Sequence, residues 1–275
     1  MSLQPRSRSG LALGVVCAAL TAVSAAPLSP ASAATKTEKP ANERLAAVVA
    51  GYSAQHPGDY VGLDRAIRAH GGDSVRFAVA GHGSASARTA QRLGARAQSR
   101  SRTKDCDLPC DAFGVGGAWY HVQDQFGEWW NATGTWNFRD DYIGAGDPGD
   151  ASGIRAQVPS CWVNDGEFIY AKDYQGNTFP DGGLIRQDAD LSSSIYEIDD
   201  QTSGFKMLTD NGSHTLSFRR NKSGCDGEPL QARYKYEHNQ DGGGSWSLGF
   251  SFLGFSLNYT DIPPRLEKAT EVFRT

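Results

Sequence analysis

The sequence lacks several short motifs by which enzyme classes are recognised. Its 275 residues contain no HExxH zinc-protease motif, no GxSxG nucleophile elbow and no Gly-Lys pair of a phosphate-binding loop. Methionine is scarce, with two residues, whereas glycine is abundant, with 32. Together with a hydrophobic fraction of 39%, this composition favours short strands joined by turns around a packed core. It excludes a chain that is disordered throughout.

Long apolar runs are also missing from most of the chain. After residue 33, no uncharged apolar run reaches about 18 residues, the length that a helix needs to cross a bilayer. Near the N-terminus, Arg6 and Arg8 precede an apolar run over residues 11–26, and small residues follow at 31–33. This order is typical of a signal peptide, which we place at residues 1–33. We therefore expect a secreted, extracellular protein without a transmembrane segment.

Cysteine is rare, with five residues, and Cys17 falls within the predicted signal peptide. The other four are Cys106, Cys110, Cys161 and Cys225. An even number of cysteines in a secreted chain predicts two disulfide bonds, with all three connectivities open. A zinc site that begins at Cys106 and Cys110 is the alternative, but the other two cysteines have no Cys or His at ligand spacing.

The mature chain changes in charge near Cys106. Residues 34–112 carry twelve basic and eight acidic residues, whereas residues 113–275 carry thirteen basic and 23 acidic residues. Within the N-terminal part, composition predicts helices over 43–53 and 64–69 and a strand over 75–80. We predict three regions after the signal peptide, namely a small helical region at 34–87, a basic Arg-rich tether at 88–105 and a disulfide-linked antiparallel β domain at 106–275.

The tether repeats arginine every four residues, at Arg88, Arg92, Arg96 and Arg100, without an acidic residue between them. On a helix these arginines form one cationic stripe. A solvated linker, a cleavable pro-segment and a polyanion-binding arm are the open interpretations. We expect no nucleic-acid partner, because the segment has no aromatic residues to stack on bases and the larger domain is acidic.

Beyond residue 113 the hydrophobic pattern has a period of two, which predicts strands. The candidate strands cover residues 116–122, 128–138, 154–163, 167–171, 194–198, 205–208, 214–219, 231–238 and 245–259. Many short strands separated by Gly, Asn and Asp clusters are typical of an antiparallel sandwich or barrel. Only residues 265–273, which follow two prolines, suggest a late helix.

The last candidate strand alternates more strongly than any other. Its apolar residues occupy one phase at Trp246, Leu248 and Phe250, and the opposite phase at Phe255 and Leu257. The change of phase predicts a bulge or a tight turn near residues 253–254. We favour a core strand, and a membrane-inserting hairpin is the alternative.

Candidate site residues are few in the β domain. Its histidines are His121, His214 and His238, and none belongs to a recognisable triad. Glu128 precedes two tryptophans, and a carboxylate among aromatic rings suits a sugar-binding cleft. We therefore consider a ligand platform formed by Trp129, Trp130 and Trp136. Glycoside hydrolysis would need a second carboxylate roughly 5 to 10 Å from the first.

Residues 167–227 carry a resemblance to a known family. The segment Phe168-Ile169-Tyr170-Ala171-Lys172-Asp173-Tyr174-Gln175-Gly176 resembles the aromatic corner that opens a βγ-crystallin Greek key. The later segment Asp199-Asp200-Gln201-Thr202-Ser203-Gly204 is similar to the calcium-binding segment of that family, with Gly204 in place of its final serine. The resemblance implies a Greek-key domain like that of actinobacterial secreted metalloproteinase inhibitors. It also implies that Asp199, Asp200 and Ser203 help to bind calcium.

A second acidic loop provides a local argument for calcium, because Asp140, Asp141, Asp147 and Asp150 lie in a glycine-rich stretch. Overall, we predict a mainly β fold, an antiparallel Greek-key sandwich or barrel with a small helical N-terminal region. We expect a secreted, non-catalytic binding protein, either a protease inhibitor or a calcium-stabilised structural module. Its expected partner is an extracellular protease or a glycan; we expect no required cofactor, with calcium as an optional one. The alternative is a secreted hydrolase with a removable basic pro-segment.

Overall fold

The computed structural model describes residues 39–79, 82–101, 113–139, 149–173, 175, 177–178, 184–189, 192–198, 202–203, 206–207, 209–225, 227–239, 245–251, 254–260 and 265–275. These residues form three helices and sixteen strands, of which twelve belong to two large antiparallel sheets and four to two small ones. The structure therefore confirms a mainly β, antiparallel sandwich with a small helical region.

The helices that the structure describes all lie before residue 102. They are α1 (Ala41–Gln55), α2 (Tyr60–Ala69) and α3 (Ala87–Ser101). Asp59 caps α2, because its side chain accepts a hydrogen bond of 2.9 Å from the backbone N–H of Gly62. The predicted helices at 43–53 and 64–69 lie within α1 and α2. Most of the predicted tether is part of α3, whose Ala90 is fully buried.

The first sheet has the strand order β2-β1-β3-β4-β11-β6. Its strands are β1 (Gly72–Val79), β2 (His82–Ala85), β3 (Phe113–Asp124), β4 (Gly127–Phe138), β6 (Trp162–Lys172) and β11 (Asn211–Arg220). β1 pairs with β3, so the predicted helical region contributes two strands, β1 and β2, to a sheet whose other strands belong to the predicted β domain.

The second sheet has the order β15-β12-β5-β8-β7, and β16 also pairs with β12. Its strands are β5 (Asp150–Gln157), β7 (Leu184–Ala189), β8 (Ser193–Ile198), β12 (Gln231–Asn239), β15 (Arg265–Ala269) and β16 (Phe273–Arg274). Two short two-stranded sheets complete the described strands, β9 (Thr202–Ser203) with β10 (Lys206–Met207), and β13 (Ser245–Ser251) with β14 (Gly254–Thr260).

Two apolar clusters lie on opposite faces of the first sheet. One cluster lies between the sheets and includes Trp119 and Tyr234, whereas the other packs α1 and α2 on the sheet and includes Leu45 and Tyr120. Trp119 and Tyr120 are consecutive residues of β3, and successive strand residues lie on opposite faces. The alternation in the sequence therefore supplies side chains to both clusters.

Two predictions for the C-terminal part of the chain are wrong. Residues 265–273 form no helix; instead β15 and β16 pair with β12, so backbone pairing overrides the local helical pattern. Residues 245–259 do not form one strand, because they divide into β13 and β14, which pair antiparallel with each other. The change of apolar phase therefore corresponds to the turn of a hairpin.

A disulfide bond joins Cys161 and Cys225, whose Cα atoms are 6.2 Å apart. It links the residue before β6 to the segment that follows β11. β6 and β11 are neighbours in the first sheet. This confirms one disulfide and removes both cysteines from the predicted zinc alternative. Cys106 and Cys110 lie outside the described residues.

Candidate functional site

A cleft with a volume of about 630 Å³ opens at one end of the first sheet. Cavities of this size are typical of small-molecule binding sites. Its wall combines charged groups and aromatic rings, among them Asp73, Arg76, His121, Glu128, Trp130 and Arg220. The chain after β11 closes the cleft with residues 227–230.

Four neighbouring strands, β1, β3, β4 and β11, carry Asp73, His121, Glu128 and Arg220 respectively. In the β1–β3 ladder Asp73 lies opposite His121, and in the β3–β4 ladder His121 lies opposite Trp130. The β1–β3 register shifts between Asp73 and Arg76, which is a β-bulge. Within it, Ser74 has a φ of 49°, a left-handed conformation that is uncommon outside glycine. Bulges and strained residues of this kind often border functional sites.

His121 lies between two carboxylates. Its Nδ1 is 3.1 Å from Oδ1 of Asp73, and its Nε2 is 3.2 Å from Oε1 of Glu128. Both ring nitrogens therefore face a carboxylate oxygen at hydrogen-bond distance. The side chain of His121 is 17% exposed, so it faces the cleft from a largely packed position.

Glu128 also contacts the guanidinium of Arg220. Nη1 of Arg220 lies 3.3 Å from Oε1 and 3.2 Å from Oε2 of this carboxylate. The four side chains therefore form a continuous series in which carboxylates alternate with nitrogen-bearing groups, Asp73, His121, Glu128 and Arg220. Such an arrangement offers hydroxyl groups of a ligand both donors and acceptors within one cleft.

Aromatic rings flank the charged series. The Trp130 ring lies 5.2 Å from the His121 ring, and the guanidinium of Arg220 lies 5.8 Å from the centre of the Trp162 ring. A guanidinium over an indole is a cation–π contact, which also holds the Arg220 side chain in place. Trp130 is partly buried and Trp162 is 8% exposed.

The structure brings together only part of the predicted platform. Trp130 lines the cleft, but Trp129 and Trp136 are each 2% exposed. The indole of Trp129 donates a 2.7 Å hydrogen bond to Asp165, and that of Trp136 donates a 3.3 Å bond to the carbonyl oxygen of Thr209. These two tryptophans are core residues and present no face to a ligand.

Sequence reasoning found Glu128, Trp130 and His121 but missed their partners. Asp73 comes from β1, 48 residues before His121, and Arg220 comes from the end of β11, 92 residues after Glu128. Neither has a local motif, because strand pairing alone places it in the cleft. The bulge at Ser74 had no signal in the sequence either.

His214 belongs to a buried polar network between the sheets. Its Nδ1 lies 3.2 Å from Oγ of Ser152 and its Nε2 lies 3.0 Å from Oγ of Ser194. Burial lowers the pKa of His214 from 6.5 to about 3, so the ring is neutral near pH 7. Since Ser152 and His214 are both fully buried, this Ser–His contact is structural and cannot reach a substrate.

His238 is buried as well. Its Nδ1 lies 2.7 Å from Oδ1 of Asp150, and the hydroxyl of Tyr236 donates a 2.7 Å hydrogen bond to Oδ2. Asp150 and His238 are fully buried. Asp150 is therefore a buried residue at the start of β5, and its role in calcium binding stays a prediction.

The remaining calcium predictions stay predictions. Asp140, Asp141, Asp147, Asp199 and Asp200 lie outside the described residues. Ser203 pairs with Lys206 in the β9–β10 ladder, and nothing further is described of its side chain. Within the described ranges, no group of three or more His, Cys, Asp and Glu residues has an arrangement suited to a metal ion.

The predicted cationic stripe is described only in part. Arg88 and Arg92 are exposed on α3, whereas the side chains of Arg96 and Arg100 are not described.

In the part of the chain that the structure describes, none of the helices has both the length and the hydropathy for a membrane span.

Comparisons with known proteins assign no family. No protein-family model matches the chain, and no curated protein matches it. Among solved structures, the chain is similar to a "Pore forming protein", with a TM-score of 0.30 and 8% identity over 59% of this chain and 87% of that one. It is also similar to the C-terminal domain of the Streptococcus agalactiae AgI/II polypeptide BspA, with a TM-score of 0.26 and 7% identity over 59% of this chain and 58% of that one. Likenesses this weak support no functional inference, and the βγ-crystallin resemblance stays a prediction.

Proposed function

We propose that this chain is a secreted, non-catalytic binding protein that holds a carbohydrate in the cleft around His121. The observation that carries the proposal is the alternating series of Asp73, His121, Glu128 and Arg220 beside the Trp130 ring. Sugars present hydroxyl groups and apolar C–H faces together. A wall with hydrogen-bonding charges and an indole matches both kinds of surface.

We prefer binding to catalysis, because the sequence contains no HExxH or GxSxG motif that would assign a reaction to the cleft. Each carboxylate that flanks His121 contacts its ring, and Glu128 also contacts Arg220. The four side chains therefore hold one another in fixed positions. These groups are organised to hold a ligand in a fixed geometry. The inhibitor and calcium-stabilised versions of this function depend on the sequence resemblance alone.

Secretion is part of the proposal and has two supports. The N-terminal sequence has the order of a signal peptide, and the Cys161–Cys225 disulfide suits an oxidising compartment. N-terminal sequencing of the protein from culture fluid tests this part. A start at residue 34 supports retention of α3, whereas a start between residues 88 and 105 supports a removable pro-segment.

The binding proposal is tested by screening the protein on an oligosaccharide array and titrating the best binder by calorimetry. We expect Trp130→Ala to weaken that binding about tenfold, since an aromatic contact contributes about 0.5–1.5 kcal/mol beyond its buried area. Phe126→Ala is the matched control, because Phe126 is an exposed aromatic residue, at 46%, on the turn between β3 and β4. It should bind like the unmodified protein.

Three results would reject the proposal. The first is the absence of binding to every oligosaccharide, and the second is equal affinity of the Trp130→Ala and Phe126→Ala variants. The third is release of a shorter sugar by the unmodified protein that Glu128→Gln abolishes, which would assign the cleft to a hydrolase. Circular dichroism of each variant establishes that the fold is retained.

A further inference from the structure

The hairpin formed by β13 and β14 separates apolar from polar residues completely. Its register pairs Trp246 with Tyr259, Leu248 with Leu257 and Phe250 with Phe255. Cross-strand partners share a face, and successive residues of a strand alternate between faces. One face of the hairpin therefore carries these six apolar residues, which we call the apolar face.

The opposite face carries only small or uncharged polar residues. Its cross-strand pairs are Ser245 with Thr260, Ser247 with Asn258, Gly249 with Ser256 and Ser251 with Gly254. No charged residue occurs anywhere from position 245 to position 260. A surface strand of a water-soluble sheet commonly uses charged residues, especially lysine, against edge-to-edge association. This hairpin has no such protection.

Among the described strands, the hairpin has no further neighbour. β13 and β14 form a two-stranded sheet of their own, and neither pairs with a described strand of the two larger sheets. A two-stranded hairpin is at best marginally stable in water, so its apolar face calls for a further partner. A core strand would instead be expected to join a larger sheet.

The order of residues along the hairpin favours lipid as that partner. The Trp246–Tyr259 pair lies toward the open end, whereas the Leu–Leu and Phe–Phe pairs lie closer to the turn. Trp and Tyr concentrate at membrane–water interfaces, and Leu and Phe favour the hydrocarbon. In the sequence, the nearest charged residues on either side of the hairpin are Asp241 and Asp261, outside both strands.

The hairpin is also long enough to reach into the hydrocarbon core of a bilayer. Each strand has seven residues. At about 3.3 Å per residue, such a strand is roughly 23 Å long, which exceeds one leaflet of a hydrocarbon core about 30 Å thick. We propose that the β13–β14 hairpin is a lipid-binding element that places its apolar face in a bilayer. The chemistry of the site is that of uncharged acyl chains, so an anionic lipid is not required.

The test uses the chain without residues 1–33 and large unilamellar vesicles of phosphatidylcholine. In a flotation assay, we expect the unmodified protein to rise with the vesicles. The double variant Leu248→Asn/Leu257→Asn changes one cross-strand pair of the apolar face and should reduce the floating fraction at least tenfold. The control Ser247→Ala/Asn258→Ala changes the adjacent pair on the opposite face and should float like the unmodified protein.

Melting curves in the absence of lipid distinguish lipid binding from core packing. If the apolar face binds lipid, the Leu248→Asn/Leu257→Asn variant should melt within a few degrees of the unmodified protein. A large fall in its melting temperature would show that the face packs within the protein and would overturn the proposal. So would failure of the unmodified protein to float, or a dimer of it that this double variant dissociates, which would assign the face to a second copy of the chain.

Discussion

His214 should make the stability of this protein depend on pH. The ring is fully buried between Ser152 and Ser194, and burial lowers its pKa from 6.5 to about 3. The unfolded chain takes up a proton at this site below about pH 6.5, whereas the folded protein does so only near pH 3. The stabilisation is therefore complete above pH 6.5 and is lost as the pH falls from 6.5 toward 3.

The size of the effect follows from the change in pKa. A change of one pKa unit corresponds to 1.36 kcal/mol, so lowering the pKa of His214 from 6.5 to about 3 corresponds to about 5 kcal/mol in total. Of this stabilisation, about 3 kcal/mol is lost between pH 7 and pH 4. Urea unfolding at pH 7, 5 and 4 measures it in the unmodified protein and in His214→Gln. Glutamine keeps an N–H donor but does not titrate in this range.

His214→Gln is expected to be less stable at pH 7, because the new side chain packs differently in the core. The informative quantity is the loss of stability between pH 7 and pH 4, which should be about 3 kcal/mol smaller in the variant. Acidic groups elsewhere contribute equally to both proteins. Gly114→Ala is the control, since it removes no titrating group and fills open space, and it should keep the unmodified pH dependence. Equal pH dependence of the unmodified protein and His214→Gln would refute the reasoning.

Two further predictions concern stability. Replacing Cys161 and Cys225 with alanine opens a connection between residues 64 positions apart, which should lower the free energy of unfolding by about 4 kcal/mol; a chemical denaturation midpoint unchanged by the double variant would contradict this. Gly134→Ala should destabilise the protein by about 2 kcal/mol or more, because a Cβ there would lie 1.9 Å from a ring carbon of buried Tyr234. The control Gly114→Ala meets no atom within 4 Å and should melt at or slightly above the unmodified temperature, so equal melting of the two variants would be inconsistent with the packing.

Local patterns in the sequence were enough to predict many of the elements. The alternation over residues 128–138 predicts β4, and the composition of residues 43–53 predicts part of α1. Both patterns repeat within a few residues and reflect how one element meets a core. Glu128 and Trp130 could be selected for the same reason, because their chemistry is visible in one short segment.

Long-range pairing decided the rest. Trp129 and Trp130 look equivalent in the sequence, yet one packs beneath the helices and the other lines the cleft, since neighbouring residues of β4 belong to opposite faces. Alternation separates two faces but does not show which face meets the helices, the second sheet or solvent. Asp73 and Arg220 reach Glu128 and His121 only because β1 and β11 pair beside β3 and β4. Residues 265–273 adopt strands for a related reason: hydrogen bonds to β12 outweigh a local preference that the sequence alone displays.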